Sequence, residues 1–525
     1  MGKIKKITIF LFVIINLVSF AKIHYAPLHP DLLKKNQYLL RRNISAEQKR
    51  NSNYSIKEIQ KRSIQNQAKA PVLLIKFSDK ENLPSHTKEY YQNLLFGETN
   101  SMKEYYQEVS YGKLENITGE ISSWVTSDKT MSYYGINDGN PIIKELIKEA
   151  VDKVDDEIDF SKYDLDGDGF VDQLIVIHSG QGEEKTGTEN DIWSHEWKLD
   201  DYLTKDGVKI RNYTIQSEYS PIGIFAHEFG HALGLPDLYG TDENNSGSKI
   251  GLYSLMDYGS WAGPDNDGTK PSHFTAWEKI LLGWINPTTL TIINNNQLLS
   301  IKDVETNDTK SVYRIDLDET KKEYLLIENR QKQEIGYDSY LPGSGLLIYH
   351  IYEKDIEGQT LEESFTLNNI NSKQPLRVKI LEADGYENLG LIKNDEKDGY
   401  YGESGDFFRK DINSQLLSYI NNNPNSCLWD QNTKDYNIPS GIHITEISSS
   451  NNTMQFRCKI GFDIKITDVN NDGEFDIQDI ILFKKDYYDE NKVEYDFNND
   501  GIINSEDLTL FKERAKIEFE NIKIW

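Results

Sequence analysis

The sequence predicts a mixed α+β protein built in successive parts, and three observations carry that expectation. Between residues 70 and 290, short β-branched runs alternate with segments of helical spacing, the texture of a twisted sheet covered by helices. From 291 to 462 the helical spacing gives way to recurrent short apolar runs punctuated by Asn, Asp and Gly, which predicts a β-rich, sandwich-like unit. From 463 to 525 the pattern DxNxDG occurs twice, 28 residues apart, and each copy leads into a helical stretch. At 525 residues the chain is longer than one core serves, since domains average roughly 150 residues. Its 37% hydrophobic content is enough to bury several cores, which excludes a globally disordered chain.

The first 21 residues read as a secretory signal. Lys3, Lys5 and Lys6 precede the apolar run ITIFLFVIINLV, and Ser19-Phe20-Ala21 offers a small-x-small cleavage site. The run is short of the ~20 apolar residues that a membrane span needs. The mature protein is therefore expected outside the cell, with no membrane partner after cleavage. Residues 22–69 carry eleven Lys or Arg against three acids and read as a pro-segment, with a flexible linker as the alternative. This segment holds no cysteine, so a thiolate cannot be its latency device. The whole chain has a net charge of −27, which leaves −38 for the part after residue 69 once the three signal lysines are counted. Such an acidic body repels nucleic acid and suits bound calcium. Cys427 and Cys458 are the two cysteines, and either a disulfide or two separate buried thiols fits the sequence.

VLLIKF (72–77) and QLIVIHSG (173–180) read as buried strands of the 70–290 unit. Ser101 is placed to cap a helix over SMKEYYQEVSYGKL, with Tyr111-Gly112 to end it, and residues 142–158 have helical spacing. The stretch HEFGHALGLPD (227–237) then holds the candidate metal site. On a helix, His227 and His231 share one face, so both imidazoles can reach one Zn²⁺. Glu228 is offset by one position and can meet a metal-bound water instead. Gly234 allows the left-handed turn that stops the helix, and Pro236 prevents its resumption. Asp237 is thereby placed as a third ligand. Three protein ligands leave a position for water, the pattern of a catalytic zinc site and not of a closed structural one. Met256 follows in GLYSLMDYGSW. His195 in DIWSHEW has no spacing that ties it to the metal and reads as a structural histidine.

HExxHxxGxxD followed by a methionine turn resembles the metzincin group of zinc endopeptidases. HEFGHALGLPDLYG, YSLMDYGSWAG, PSHFTAWEKILLGW, SMKEYYQEVSYGKL, YDLDGDGFVDQLIVIHSGQGEE, DIWSHEW and EYLLIENRQ…YLPGSGLLIYHI resemble the immune inhibitor A family of secreted bacterial metalloproteases, over about residues 70–460. The resemblance implies a metzincin-like catalytic domain. In it His227, His231 and Asp237 bind zinc, Glu228 is the general base, and Met256 forms an apolar floor. It also points to Tyr258, two residues after Met256, as a phenol that helps hold the oxyanion.

YDLDGDGFVD places Asp164, Asp166, Asp168 and Asp172 at positions 1, 3, 5 and 9 of a calcium-type loop, with Gly169 at the sharp turn. Position 12 is Ile175, so the usual bidentate acid is missing. In the tail, Asp468, Asn470, Asp472, Asp476 and Asp479 form one twelve-residue calcium loop. Asp496, Asn498, Asp500, Asn504 and Asp507 form the second. No helix enters the first loop, so these are half EF-hands. The repeat resembles a dockerin, which implies a small helical module, two calcium ions and a cohesin-bearing scaffold as partner. Ile477-Gln478 and Ser505-Glu506 differ between the copies at the positions dockerins use to read that partner.

The expected function is a secreted zinc endopeptidase that hydrolyses peptide bonds with a metal-activated water, tethered to a scaffold through its dockerin. A non-catalytic, scaffold-docked binding protein that retains the protease fold is the alternative. The expected layout is a signal over 1–21, a pro-segment over 22–69, a catalytic domain over 70–290, a β-rich domain over 291–462 and a dockerin over 463–525.

Overall fold

The computed structural model describes residues 24–29, 66–135, 142–242, 247–291, 296–306, 308–318, 320–391, 400–418, 423–460 and 482. The expected signal and both terminal calcium loops, Asp468 to Asp479 and Asp496 to Asp507, lie outside the described residues. Among the described residues no helix is long and apolar enough to cross a membrane.

The first sheet has six strands: β1 (His24–Tyr25), β2 (Val72–Lys76), β3 (Ile121–Thr126), β4 (Ile175–His178), β5 (His195–Lys205) and β6 (Val208–Ser217). Their order is β1-β5-β6-β4-β2-β3. The four strands from β6 to β3 run parallel, while β5 is antiparallel to β6 and β1 antiparallel to β5. Parallel strands are covered on both faces, so they read as unbroken apolar runs without alternation. β2 shows this directly. Val72 and Leu74 join one apolar cluster, and Leu73 and Ile75 join the one on the opposite face. The first face is covered by α1 (Met102–Val109), through Tyr105 and Tyr106. The second is covered by α2 (Ile142–Val154), through Leu146, Ile147, Ala150 and Val151. The expected cap is present: Ser101 Oγ accepts the Glu104 N–H at 3.0 Å, a contact that contributes about 1 kcal/mol. Tyr111 and Gly112 follow with φ of 57° and 72° and end the helix.

The β-rich region holds two larger sheets. One has five strands in the order Val378–Ile380, Gly345–Tyr352, Glu323–Arg330, Val312–Asp316, Thr288–Leu290. The other places Thr453–Ile460 between Gln297–Lys302 and Ile442–Thr445. Alternation along Glu323–Arg330 decides how they pack. Tyr324 and Leu326 join the cluster that contains Tyr105, Phe229 and Trp284. Leu325 and Ile327 join Ile301, Ile444, Met454 and Phe456 of the three-stranded sheet. One apolar core therefore runs without a break from the first sheet into the β-rich region. Cys427 and Cys458 are both buried and are not joined in a disulfide.

A buried cation pins this junction. Arg330 has no solvent exposure, and all five of its N–H donors are used. Nε and Nη2 donate to the two Asp338 carboxylate oxygens at 2.5 and 2.9 Å. Nη1 donates to the Tyr253 carbonyl and to Glu328, and Nη2 to the His273 carbonyl, at 3.1 to 3.2 Å.

Candidate metal centre

Helix α3 (Ile222–Ala232) is apolar nearly all round, and every residue from Ile222 to His231 is buried. Such a helix must satisfy any polar side chain it carries inside the protein. His227 and His231 do this with one nitrogen each. His227 Nδ1 meets the Leu255 carbonyl at 2.9 Å, and His231 Nδ1 meets the Leu235 carbonyl at 2.8 Å. A carbonyl is an acceptor, so each Nδ1 carries the proton and each Nε2 presents a lone pair. The two Nε2 atoms lie 3.2 Å apart. Burial also lowers the His227 pKa, which keeps that ring neutral.

The chain returns as the sequence requires. Gly234 takes φ of 101°, and the Leu235 N–H bonds back to the Gly230 carbonyl at 3.1 Å. Asp237 Oδ1 then lies 3.3 Å from His227 Nε2 and 3.2 Å from His231 Nε2. Three acceptors thus face one point, and Asp237 Oδ1 has no hydrogen-bond partner. A cation resolves that arrangement, and the donor set of two imidazoles and one carboxylate fits zinc.

The methionine turn packs against this helix. Met256 is fully buried, and a Cβ added at Gly230 would lie 2.7 Å from its sulfur. Glycine at 230 therefore lets Met256 seat directly against the helix. The same turn orients the ligands, since the Leu255 carbonyl holds His227 and the Met256 carbonyl accepts the Leu238 N–H at 2.9 Å.

Glu228 is fully buried, and neither of its carboxylate oxygens has a hydrogen-bond partner. Burial pushes its pKa well above the usual range, and the carboxylates of Asp237, Glu196 and Glu184 add to the shift. Tyr258 is almost fully buried; its ring packs 5.0 Å from Tyr401 and 6.2 Å from Tyr400, whose hydroxyl it bonds. The phenol beside the centre is Tyr239, which hydrogen-bonds Asp237. It stands two residues after Asp237 in LPDLY, a position that spacing alone did not single out. His195 is a structural histidine: Nδ1 meets the Trp193 carbonyl at 2.7 Å, and burial lowers its pKa to about 4.

The N-terminal strand lies along this site. β1 pairs with the free edge of β5, with His24 opposite Glu196 and Tyr25 opposite His195. Trp193 Nε1 donates to the Ala26 carbonyl and Trp261 Nε1 to the Pro27 carbonyl, at 2.7 and 2.8 Å. The Ala26 N–H meets the Ser194 carbonyl, and the His29 N–H meets the Glu184 carbonyl. Ala26 and His29 are each 1% exposed.

Of the four acids in YDLDGDGFVD, the structure brings Asp164, Asp166 and Asp168 together, with ligand atoms within 4.8 Å of one another. Their carboxylates accept the backbone N–H groups of residues 168 to 170, which shapes the loop. Asp172 stands outside that trio, and its Oδ2 accepts the Leu165 N–H at 2.9 Å.

Residues 57–284 match the family model described as immune inhibitor A peptidase M6, catalytic domain, and residues 466–514 match the dockerin type I domain. The chain is 32% identical over 258 residues to the pre-pro-metalloprotease PrtV of Vibrio cholerae serotype O1, across 40% of this chain and 28% of that protein. It is 31% identical over 237 residues to immune inhibitor A of Bacillus thuringiensis subsp. alesti, across 37% of this chain and 34% of that protein. The match thus covers about a third of the length of these curated relatives.

Proposed function

Because the chain carries an immune inhibitor A peptidase M6 catalytic domain and a dockerin type I domain, we propose that it is a secreted, zinc-dependent endopeptidase held on a cohesin-bearing scaffold. The observation that carries this reading is the convergence of two imidazole Nε2 atoms and one carboxylate oxygen on one point. His227, His231 and Asp237 would hold the zinc. When bound, zinc supplies a polarised scissile carbonyl and a water acidified toward pKa ~7. Glu228 would accept a proton from the attacking water on a carboxylate oxygen and deliver it to the leaving amine nitrogen. The oxyanion role read for Tyr258 requires its hydroxyl to leave Tyr400, so the contacts favour Tyr239 as the phenol at the site.

The left-handed turn at Gly234 and the methionine under α3 support a metzincin-like first unit. The two sheets that share a core support a sandwich-like second one. The layout we propose keeps the signal at 1–21, the pro-segment at 22–69, the catalytic domain at 70–290, the β-rich domain at 291–462 and the dockerin at 463–525. One assay tests the function. The purified chain should contain about one tightly held zinc per catalytic domain and cleave casein until a zinc chelator is added. Zinc without cleavage would favour the scaffold-docked binding protein instead, a reading that the intact Glu228 speaks against.

The seat of β1 supports the pro-segment. An extended peptide recognised by this domain would add to the free edge of β5, and β1 already fills that edge. Cutting an engineered protease site placed between residues 30 and 65 should therefore raise casein hydrolysis. An unchanged rate after complete cutting would count against latency by this segment.

We read Asp164, Asp166 and Asp168 as a structural calcium site, with Asp172 acting through water, as the ninth loop position commonly does. Saturating calcium at about 100 times its dissociation constant contributes about 2.7 kcal/mol. Its removal by a calcium-selective chelator should therefore lower the melting temperature of the catalytic unit by about 5–10 °C. Asp166→Asn should abolish that difference. The dockerin loops bind calcium in the same reading, and capture by a cohesin should be lost with chelator.

A further inference from the structure

The third ligand is held in part from outside the matched catalytic domain. Asn368 lies in the β-rich region, 131 residues beyond Asp237 and well past the end of the matched catalytic domain at residue 284. It follows the helix α4 (Leu361–Thr366), whose last turn ends at Leu367. Its φ is 47°, a left-handed conformation that Asn tolerates better than most residues, and its side chain is almost fully buried.

Both polar atoms of its amide bond Asp237. Asn368 Oδ1 accepts the Asp237 backbone N–H at 2.8 Å, and Asn368 Nδ2 donates to Asp237 Oδ2. The chemistry of the two partners fixes which way the amide points, because an N–H needs the oxygen and a carboxylate needs the nitrogen. The result divides the carboxylate. Oδ2 is committed to Asn368, while Oδ1 is left to face His227 and His231.

The loop that carries Asn368 is itself anchored. Its carbonyl accepts the Thr241 hydroxyl, and Ser372 Oγ accepts the Thr241 N–H at 2.9 Å. Asn371 Nδ2 bridges the Leu238 and Val378 carbonyls at 3.0 Å each, and its Oδ1 accepts the Val378 N–H. Val378 is the first residue of the edge strand of the five-stranded sheet. A rigid path therefore runs from that sheet to the metal-facing carboxylate.

We propose that Asn368 is a positioning residue of the metal centre, and that the β-rich region completes the peptidase instead of being appended to it. The proposal rests on zinc binding by His227, His231 and Asp237, and the test separates the two. Zinc affinity is measured by competition with a chromophoric chelator on the whole chain, for wild type, Asn368→Ala and Asn368→Asp. The Asp variant is nearly isosteric and keeps the acceptor for the Asp237 N–H. It removes the donor to Oδ2 and adds a like charge. Cobalt is substituted in parallel, and its visible absorption reports ligand geometry independently of turnover. Partners that orient metal ligands are worth about 10- to 100-fold in metal affinity. A loss in that range is expected for both variants, larger for Asp, with an altered cobalt spectrum in protein that circular dichroism shows to be folded. Wild-type zinc binding with unchanged affinity and an unchanged cobalt spectrum in Asn368→Asp would overturn the proposal. Failure of the wild type to bind zinc would instead overturn the reading beneath it.

Discussion

Glu228→Gln is expected to leave zinc bound and the fold intact while hydrolysis of casein falls by about 10²- to 10⁴-fold, the usual worth of a positioned general base. Glutamine has the shape of glutamate but cannot accept the proton of the water, and Glu228 is not among the three residues whose ligand atoms converge. The same variant carries a second signature. In the metal-free protein, burial and three neighbouring carboxylates raise the Glu228 pKa well above its unfolded value of 4.5. The folded state then keeps a proton that the unfolded chain gives up. Its contribution to stability is therefore full below about pH 4.5 and is lost as pH rises toward the folded value. Gln removes that cost, so the metal-free variant should melt at or above the wild-type temperature at pH 7 and converge with it in acid. Equal turnover by the variant would remove the assigned base, and loss of zinc would show that Glu228 is a ligand.

Arg330→Met is expected to cost about 3–5 kcal/mol, read from the midpoint of urea unfolding. The methionine keeps most of the length but leaves Asp338 and Glu328 buried without their cation, and both are fully shielded from water. Burial would raise the Asp338 pKa, yet Arg330 and His273 beside it hold it far below its ordinary value, so this carboxylate depends on the pair. The loss should spread to the metal centre. Arg330 Nη1 supports the Tyr253 carbonyl, two residues before the Leu255 carbonyl that orients His227. Zinc should leave the variant at lower denaturant than the wild type. Adding Asp338→Asn should recover part of the stability, because it removes the stranded charge. A wild-type midpoint for Arg330→Met would mean that this pair does not hold the junction.

What the sequence determined by itself is what short-range geometry carries. Histidines four apart share a helix face, a glycine before Leu235 allows the left-handed turn, and Ser101 three residues before Glu104 makes a cap. Each follows from backbone rules that act over one or two turns. The unbroken run of β2 likewise announced a strand buried on both faces. Tertiary structure alone decided which distant groups complete those features. Nothing near Asp237 in the chain marks Asn368 as the amide that splits its carboxylate, and β1 was a basic leader until its backbone met the open edge of β5. The sequence of Asp164 to Asp172 offered four equivalent acids, and the Leu165 N–H claimed the fourth. Nothing in the sequence singled out Arg330, and its partners come from three segments. The physical reason is common to all of these. A buried polar group must be satisfied wherever a partner lies in space, and the energy of that contact depends on distance through the fold and not on separation along the chain.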